Sequence, residues 1–116
     1  KEILNRASKL SLKDEIVNVF NDPRDAVRFS NVVYTDVWAS MGQESKAVDK
    51  ERFFKNYIVD TNLVNLAASN HIVMHCLPAY RGKEISDETF ESKSSRIFEQ
   101  AENRLHAQQA LLAVIL

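Results

Sequence analysis

The chain has 116 residues, of which 45 % are hydrophobic and 27 % charged, with a formal net charge of −1. That bounds it at one domain of ordinary globular composition, with no basic field to draw in nucleic acid or an anionic membrane surface. A single cysteine excludes an internal disulfide framework. It fits a reducing compartment: the cytoplasm, or an organelle matrix if a targeting segment lies upstream.

Residues 1–10 read as a helix, with Ile3, Leu4, Ala7 and Leu10 at helical spacing on one side. Residues 15–20 read as a strand through Ile16, Val17, Val19 and Phe20. Asp22 then suits an N-cap and Pro23 the first helical position, which predicts a short helix over 23–29. Residues 31–37 are β-branched and aromatic and predict a second strand. Residues 38–47 carry Ser40, Gly42 and Ser45 without periodicity and read as a loop. Asp49 is taken to cap a helix to about residue 56, with Phe53 and Phe54 inward. Another helix spans 61–69, burying Leu63, Leu66 and Ala67, and residues 71–75 form the third strand. Ser86-Asp87-Glu88 opens a short helix, and residues 94–98 are a brief extended piece. The final helix covers 99–115, with Ala101, Leu105, Gln108, Leu112 and Ile115 on one face.

Strands alternating with helices imply an α/β fold: an open parallel sheet flanked by helices on both faces. Such sheets bind ligands beyond the carboxyl ends of their strands. The rule points to Asp36-Val37 and to His75-Cys76. The run 110–116 is wholly apolar and far shorter than the about 20 residues that cross a bilayer, so it must bury against something. With the start at Lys1, this suggests a piece of a larger polypeptide or a chain that relies on a partner.

The turn His75-Cys76-Leu77-Pro78 ends an apolar strand in a residue with fixed φ and no N–H, and Arg81 follows closely. Cys76 is either a small buried hydrophobe or a reactive thiol. His75 points to the opposite strand face, so it is a poor base for that thiol. Asp36, at the end of an apolar strand, needs a cationic partner, either a structural ion pair or a ligand ammonium group. Ser40-Met41-Gly42 is either an ordinary loop or a set of donors for a carboxylate. Arg104 forms a structural salt bridge at the edge of a buried stripe, or its planar fork holds a phosphate. His71 and His75 lie roughly 13 Å apart along a strand, too far for one metal ion. Neither CxxC nor HExxH occurs, and two glycines do not make a phosphate loop.

Asp36-Val37-Trp38-Ala39-Ser40-Met41-Gly42, His75-Cys76-Leu77-Pro78 and Ala101-Glu102-Asn103-Arg104-Leu105-His106 together resemble the ornithine carbamoyltransferases in order and rough spacing. The resemblance covers essentially the whole chain, but only about the last third of such an enzyme. It implies the Rossmann-like half of a carbamoyltransferase, incomplete here. Residues 1–98 would be a partial ornithine-binding domain, and 99–116 a helix packing on an absent carbamoyl-phosphate domain. It implies that Asp36, Ser40 and the Met41 backbone bind ornithine. Cys76 would lie beside the attacking δ-amine, and Cys76, Leu77 and Arg104 would hold carbamoyl phosphate. It implies a homotrimer, or a multiple of one, and no metal or organic cofactor. The family's Ser-Thr-Arg-Thr phosphate motif does not occur here, so the isolated chain is expected to be inactive. Two other readings stand beside this one. One is a sister enzyme acting on putrescine or acetylornithine. The other is a non-catalytic amino-acid-binding or receiver-like module with Asp36 as its functional acid.

Overall fold

The computed structural model describes residues 2–10, 17–39 and 47–116. It contains helix α1 (Glu2–Leu10), helix α2 (Pro23–Val27), strand β1 (Val32–Thr35) and helix α3 (Ala47–Phe54), which runs into a tight 3-10 turn (Lys55–Tyr57). Helix α4 (Thr61–Val64), strand β2 (Ile72–His75), helix α5 (Asp87–Phe90) and the long helix α6 (Ile97–Ile115) follow. The strands pair in parallel, with Val33 opposite Val73 and Thr35 opposite His75. The expected parallel sheet flanked by helices is therefore present.

Local chemistry starts most of the short helices. The Asp22 carboxylate accepts the Arg24 N–H at 2.9 Å, with Pro23 in the first turn of α2. Asp60 accepts the Leu63 N–H at 2.8 Å at the start of α4. Ser86 accepts the Thr89 N–H at 3.2 Å at the start of α5. Each cap satisfies a donor that the helix itself leaves unpaired. Four-residue helices such as α4 and α5 do not persist on caps alone, so burial must hold them.

That burial lies under one face of the sheet. Val33 and Val73 point into it, and Val27, Val59, Leu63, Val64, Ile85, Phe90 and Ile97 close around them. Each such side chain contributes about 1.5–3 kcal/mol on leaving water, more than a cap does. Helix α4 ends at Val64, short of the predicted residue 69, so Leu63 and Val64 are its buried residues, and Leu66 and Ala67 pack partly buried in the turn that follows.

Several expectations need correction. Residues 17–20 carry no strand pairing, and residues 15 and 16, the start of that predicted strand, lie outside the described residues. Val17, Val19 and Phe20 are solvent-exposed, so their apolar run finds no sheet to join among the described residues. Helix α2 ends two residues early because Phe29 takes a φ of 61° and donates its N–H to Leu66 O at 3.0 Å, which turns the chain into β1. Asp49 is not a cap: α3 has already begun at Ala47. Phe53 points outward at 77 % exposure, whereas Phe54 stacks on Trp38 and meets Tyr57 edge-on. The second sheet face is not covered among the described residues, since Val32 and Tyr34 are 50 % and 56 % exposed. The apolar side of α6 is likewise open, and only Ile97 of that helix is buried. No helix among the described residues is long and apolar enough to cross a membrane.

Candidate functional site

The parallel register decides the site. Because Thr35 sits opposite His75, the next residue on each strand, Asp36 and Cys76, emerges at the same end of the sheet. The Cys76 Sγ–H donates to Asp36 Oδ1 at 2.9 Å, and the Val37 N–H donates to the same oxygen at 2.7 Å. Asp36 is exposed, so its expected cationic partner within the chain is replaced by a thiol and a backbone amide. First the thiol and then the Val37 N–H hold its carboxyl below the usual carboxylate range.

The thiol moves the other way. Partial burial, then the hydrogen bond and charge of Asp36, push Cys76 above its ordinary pKa, while the positive charge of Arg104 pulls back down. Cys76 is therefore a neutral thiol at neutral pH, a donor and a polarisable surface, with little thiolate to act as a nucleophile. Iodoacetamide should label it at pH 8 more slowly than a free thiol. Asp36→Asn, which removes the neighbouring negative charge, should speed labelling several-fold. Equal rates in the two proteins would show that thiol and carboxylate are not coupled.

A buried scaffold sets the turn behind the thiol. His75 is 1 % exposed and points away from Cys76, into the core, as strand alternation requires. Its Nδ1 accepts the Leu77 N–H at 2.8 Å, so Nε2 carries the ring proton and donates to Glu84 Oε1 at 3.1 Å. The same oxygen accepts the Tyr80 N–H at 2.5 Å. Leu77 has a φ of 56°, a region a leucine disfavours, and a cis bond joins it to Pro78. Its N–H is committed to His75, so the backbone group it can offer a ligand is its carbonyl. Gly82, with a φ of 81°, and the Lys83 N–H bond to Tyr80 O reverse the chain and bring Glu84 beneath the turn.

Arg81 does not serve the site. It pairs with Asp87 and Glu91 and lies 4.0 Å over the Phe90 ring, which fixes α5 to the turn. Arg104 lies on α6, exposed, with its charge reaching Cys76. The buried stripe expected beside it is absent among the described residues, since Ala101 and Leu105 are exposed. Of the residues singled out from sequence, Asp36, Cys76 and Leu77 thus share one end of the sheet, the charge of Arg104 acts on Cys76 from α6, and Ser40, Met41 and Gly42 lie outside the described residues. Sequence reasoning missed Glu84 and Gln100. Gln100 had a faint signal, since it sits one helical turn before Arg104; Glu84, in a polar turn, had none.

An open groove of about 710 Å³ lies elsewhere, lined by Asn21, Asp22, Arg24, Lys55, Tyr57 and Asp60 among others. It shares no residue with the cluster above, and Arg24 pairs with Asp22 at 2.9 Å. Converging chemistry, not volume, marks the site. Among the described residues no group of three or more His, Cys, Asp and Glu could hold a metal ion.

Comparison with known proteins agrees with this geometry. Residues 1–115 match the family profile described as aspartate/ornithine carbamoyltransferase, Asp/Orn binding domain. The ornithine carbamoyltransferase of Prochlorococcus marinus (strain MIT 9312) is 54 % identical over 114 residues, covering 98 % of this chain and 37 % of that protein. The enzyme of the same name from Hyperthermus butylicus is 49 % identical over 118 residues, covering all of this chain and 37 % of that protein. The solved ornithine carbamoyltransferase of Pyrococcus furiosus superposes with a TM-score of 0.73 at 50 % identity, over 79 % of this chain and 29 % of that one. The chain thus spans little more than a third of the length of these relatives. The chain therefore belongs to the aspartate/ornithine carbamoyltransferase family, through its Asp/Orn-binding domain.

Proposed function

We propose that this chain is the ornithine-binding half of an ornithine carbamoyltransferase, which moves the carbamoyl group of carbamoyl phosphate to the δ-amine of L-ornithine, giving L-citrulline and phosphate. The observation that carries the reading is the contact at 2.9 Å between Cys76 and Asp36 at the strand ends, with the Arg104 charge acting on the same thiol.

In the reaction the amine lone pair forms a C–N bond to the carbamoyl carbon. The C–O bond to phosphate breaks, phosphate leaves with the bonding electrons, and one amine proton is lost. An alkyl amine of this kind has an unperturbed pKa of about 10.4, so the site must favour its neutral form. A neutral Cys76 suits that need. A thiolate beside the amine would hold it as ammonium and would itself compete for the carbamoyl carbon. Asp36 stays ionised and binds the cationic amino-acid end of ornithine, together with Ser40 and the Met41 backbone. Its lowered basicity suits a counter-ion better than a proton acceptor. The Leu77 carbonyl accepts from the carbamoyl NH₂, and Arg104 offers its planar fork to the anionic end of carbamoyl phosphate.

The remaining domain would supply further phosphate contacts and cover α6, whose Leu105, Leu111, Leu112 and Ile115 are exposed here. A homotrimer, a cytoplasmic setting and a place in arginine metabolism complete the proposal. They rest on the family resemblance and on the single cysteine.

The test is carbamoyl transfer by the complete enzyme with ornithine, putrescine and acetylornithine side by side. The expected result is a kcat/KM for ornithine at least 10²-fold above the others, since a site built to bind polar groups discriminates strongly against a substrate that lacks them. Preference for putrescine would remove Asp36 and the loop at 40–42 as the specificity element. Transfer to none of the three would overturn the reading.

A further inference from the structure

Strand β2 presents hydrogen-bonding groups on two edges. One edge meets β1. On the other, the Val73 N–H donates to Ser94 O at 2.9 Å, and the Arg96 N–H donates to Val73 O at 2.8 Å. The next donor on that edge is two residues along, at His75. No backbone answers it, because the chain has already entered α6 at Ile97. A side chain answers instead: Gln100 Oε1 accepts the His75 N–H at 3.1 Å. The other end of the same amide, Nε2, donates to the Tyr34 hydroxyl at 2.8 Å. Tyr34 is on β1, two residues before Asp36, and His75 is on β2, one residue before Cys76. One amide therefore ties both strands together just below the two residues that open the site.

The same amide orients α6. That helix has no side-chain N-cap bond, and apart from buried Ile97 and half-buried Gln100 its residues are exposed. Buried Ile97, together with Phe98, whose ring meets Phe90 edge-on at 5.5 Å, pins the first turn of the helix to the core. Gln100, held at two ends, carries that anchoring on to the sheet and fixes the rotation of the turn that precedes Arg104. Arg104 follows one turn later, about 6 Å further along the axis and about 40° round it, so it leaves the helix on nearly the same side. We propose that Gln100 is a positioning residue: by bridging His75 N–H and Tyr34 Oη it sets the rotation of α6 that aims Arg104 at the strand ends where Asp36 and Cys76 lie. The proposal rests on the carbamoyltransferase reading for the ligand that Arg104 meets.

The experiment is steady-state kinetics on the complete enzyme with Gln100→Ala, Gln100→Glu and Tyr34→Phe, each alone, and with Gln100→Ala on an Arg104→Lys background. Misplacing a binding group by about 1 Å can cost up to about 100-fold, so Gln100→Ala should raise KM for carbamoyl phosphate by about 10- to 100-fold. KM for ornithine should change less than about twofold, because Gln100 does not touch the Asp36 side of the site. Gln100→Glu should restore most of the loss, since a carboxylate can accept from both the His75 N–H and the Tyr34 hydroxyl. Tyr34→Phe, which removes one end of the bridge, should fall between. On the Arg104→Lys background, Gln100→Ala should add less than about twofold, because its effect runs through Arg104.

Fully multiplicative effects in that cycle, or equal rises in both KM values, would make Gln100 a general structural anchor and overturn the proposal. If Gln100→Ala does not fold, Tyr34→Phe and Gln100→Glu decide: wild-type KM for carbamoyl phosphate in Tyr34→Phe, or no activity in Gln100→Glu, would overturn it equally. A wild-type enzyme that transfers no carbamoyl group fails the functional reading itself, an outcome distinct from any of these.

Discussion

Arg104→Ala in the complete enzyme should lower kcat/KM for carbamoyl phosphate by roughly 10²- to 10⁴-fold. A planar fork bound to an anion makes paired, charge-assisted hydrogen bonds, each worth about 1.5–3 kcal/mol, and the loss of both spans that range at about 1.4 kcal/mol per tenfold. Arg104 is exposed and carries its charge within reach of Cys76, so nothing in the described fold depends on it for burial. The loss should therefore appear in kinetics and not in thermal stability. Arg104→Lys should fall between, because it keeps the charge and loses the fork. The measurement is initial rates at saturating ornithine with carbamoyl phosphate varied. An unchanged kcat/KM would remove Arg104 from the site.

The second large effect is on folding. Glu84→Ala should destabilise the protein by about 3–5 kcal/mol, the range found when one partner of a buried ion-paired or charge-assisted contact is deleted. Glu84 and His75 are both 1 % exposed. Removing the carboxylate leaves the His75 Nε2–H buried without an acceptor and takes the acceptor from the part-buried Tyr80 N–H. The Arg24–Asp22 pair is the contrast. It has a comparable distance of 2.9 Å but side chains that are 70 % and 39 % exposed, so solvent screening leaves it worth little. Burial, not separation, decides which pair matters. Glu84→Gln should cost less than Glu84→Ala, because the amide oxygen can still accept from both donors. The check is the urea midpoint of the complete protein for wild type and the two variants. A midpoint for Glu84→Ala within error of wild type would show that the turn at Leu77 and Pro78 holds without this scaffold.

The features legible in the sequence are those whose causes lie within a few residues. Asp22 and Ser86 read as caps because a cap bonds an N–H two or three residues ahead. The end of β2 read correctly because Ile72-Val73-Met74 gives way to a proline that cannot continue a ladder. His75 read correctly as turned away from Cys76 because side chains alternate along any strand. Phe53 misled because successive helical residues point about 100° apart, and it is Phe54 that packs on Trp38 and Tyr57.

The site itself belongs to the tertiary structure. From sequence, Asp36 and Cys76 were two strand ends on the ligand side of a parallel sheet, with roles implied by resemblance but no contact between them. Their hydrogen bond joins residues 40 apart and exists because the strands run parallel in a register that sets Thr35 beside His75. Glu84 reaches His75 across 9 residues only after a glycine turn folds it back, and Gln100 reaches Tyr34 across 66. The sequence by itself determined the family, the strand-to-loop turn at Cys76 and the residue types that meet there, because motif, propensity and capping are properties of neighbours along the chain. Only the fold decided that Asp36 raises the pKa of the thiol it accepts from, that Arg81 is spent on α5 while the Arg104 charge acts on Cys76, and which polar side chains hold the turn. Those outcomes depend on burial and on distances between residues far apart in sequence, and no local pattern encodes either.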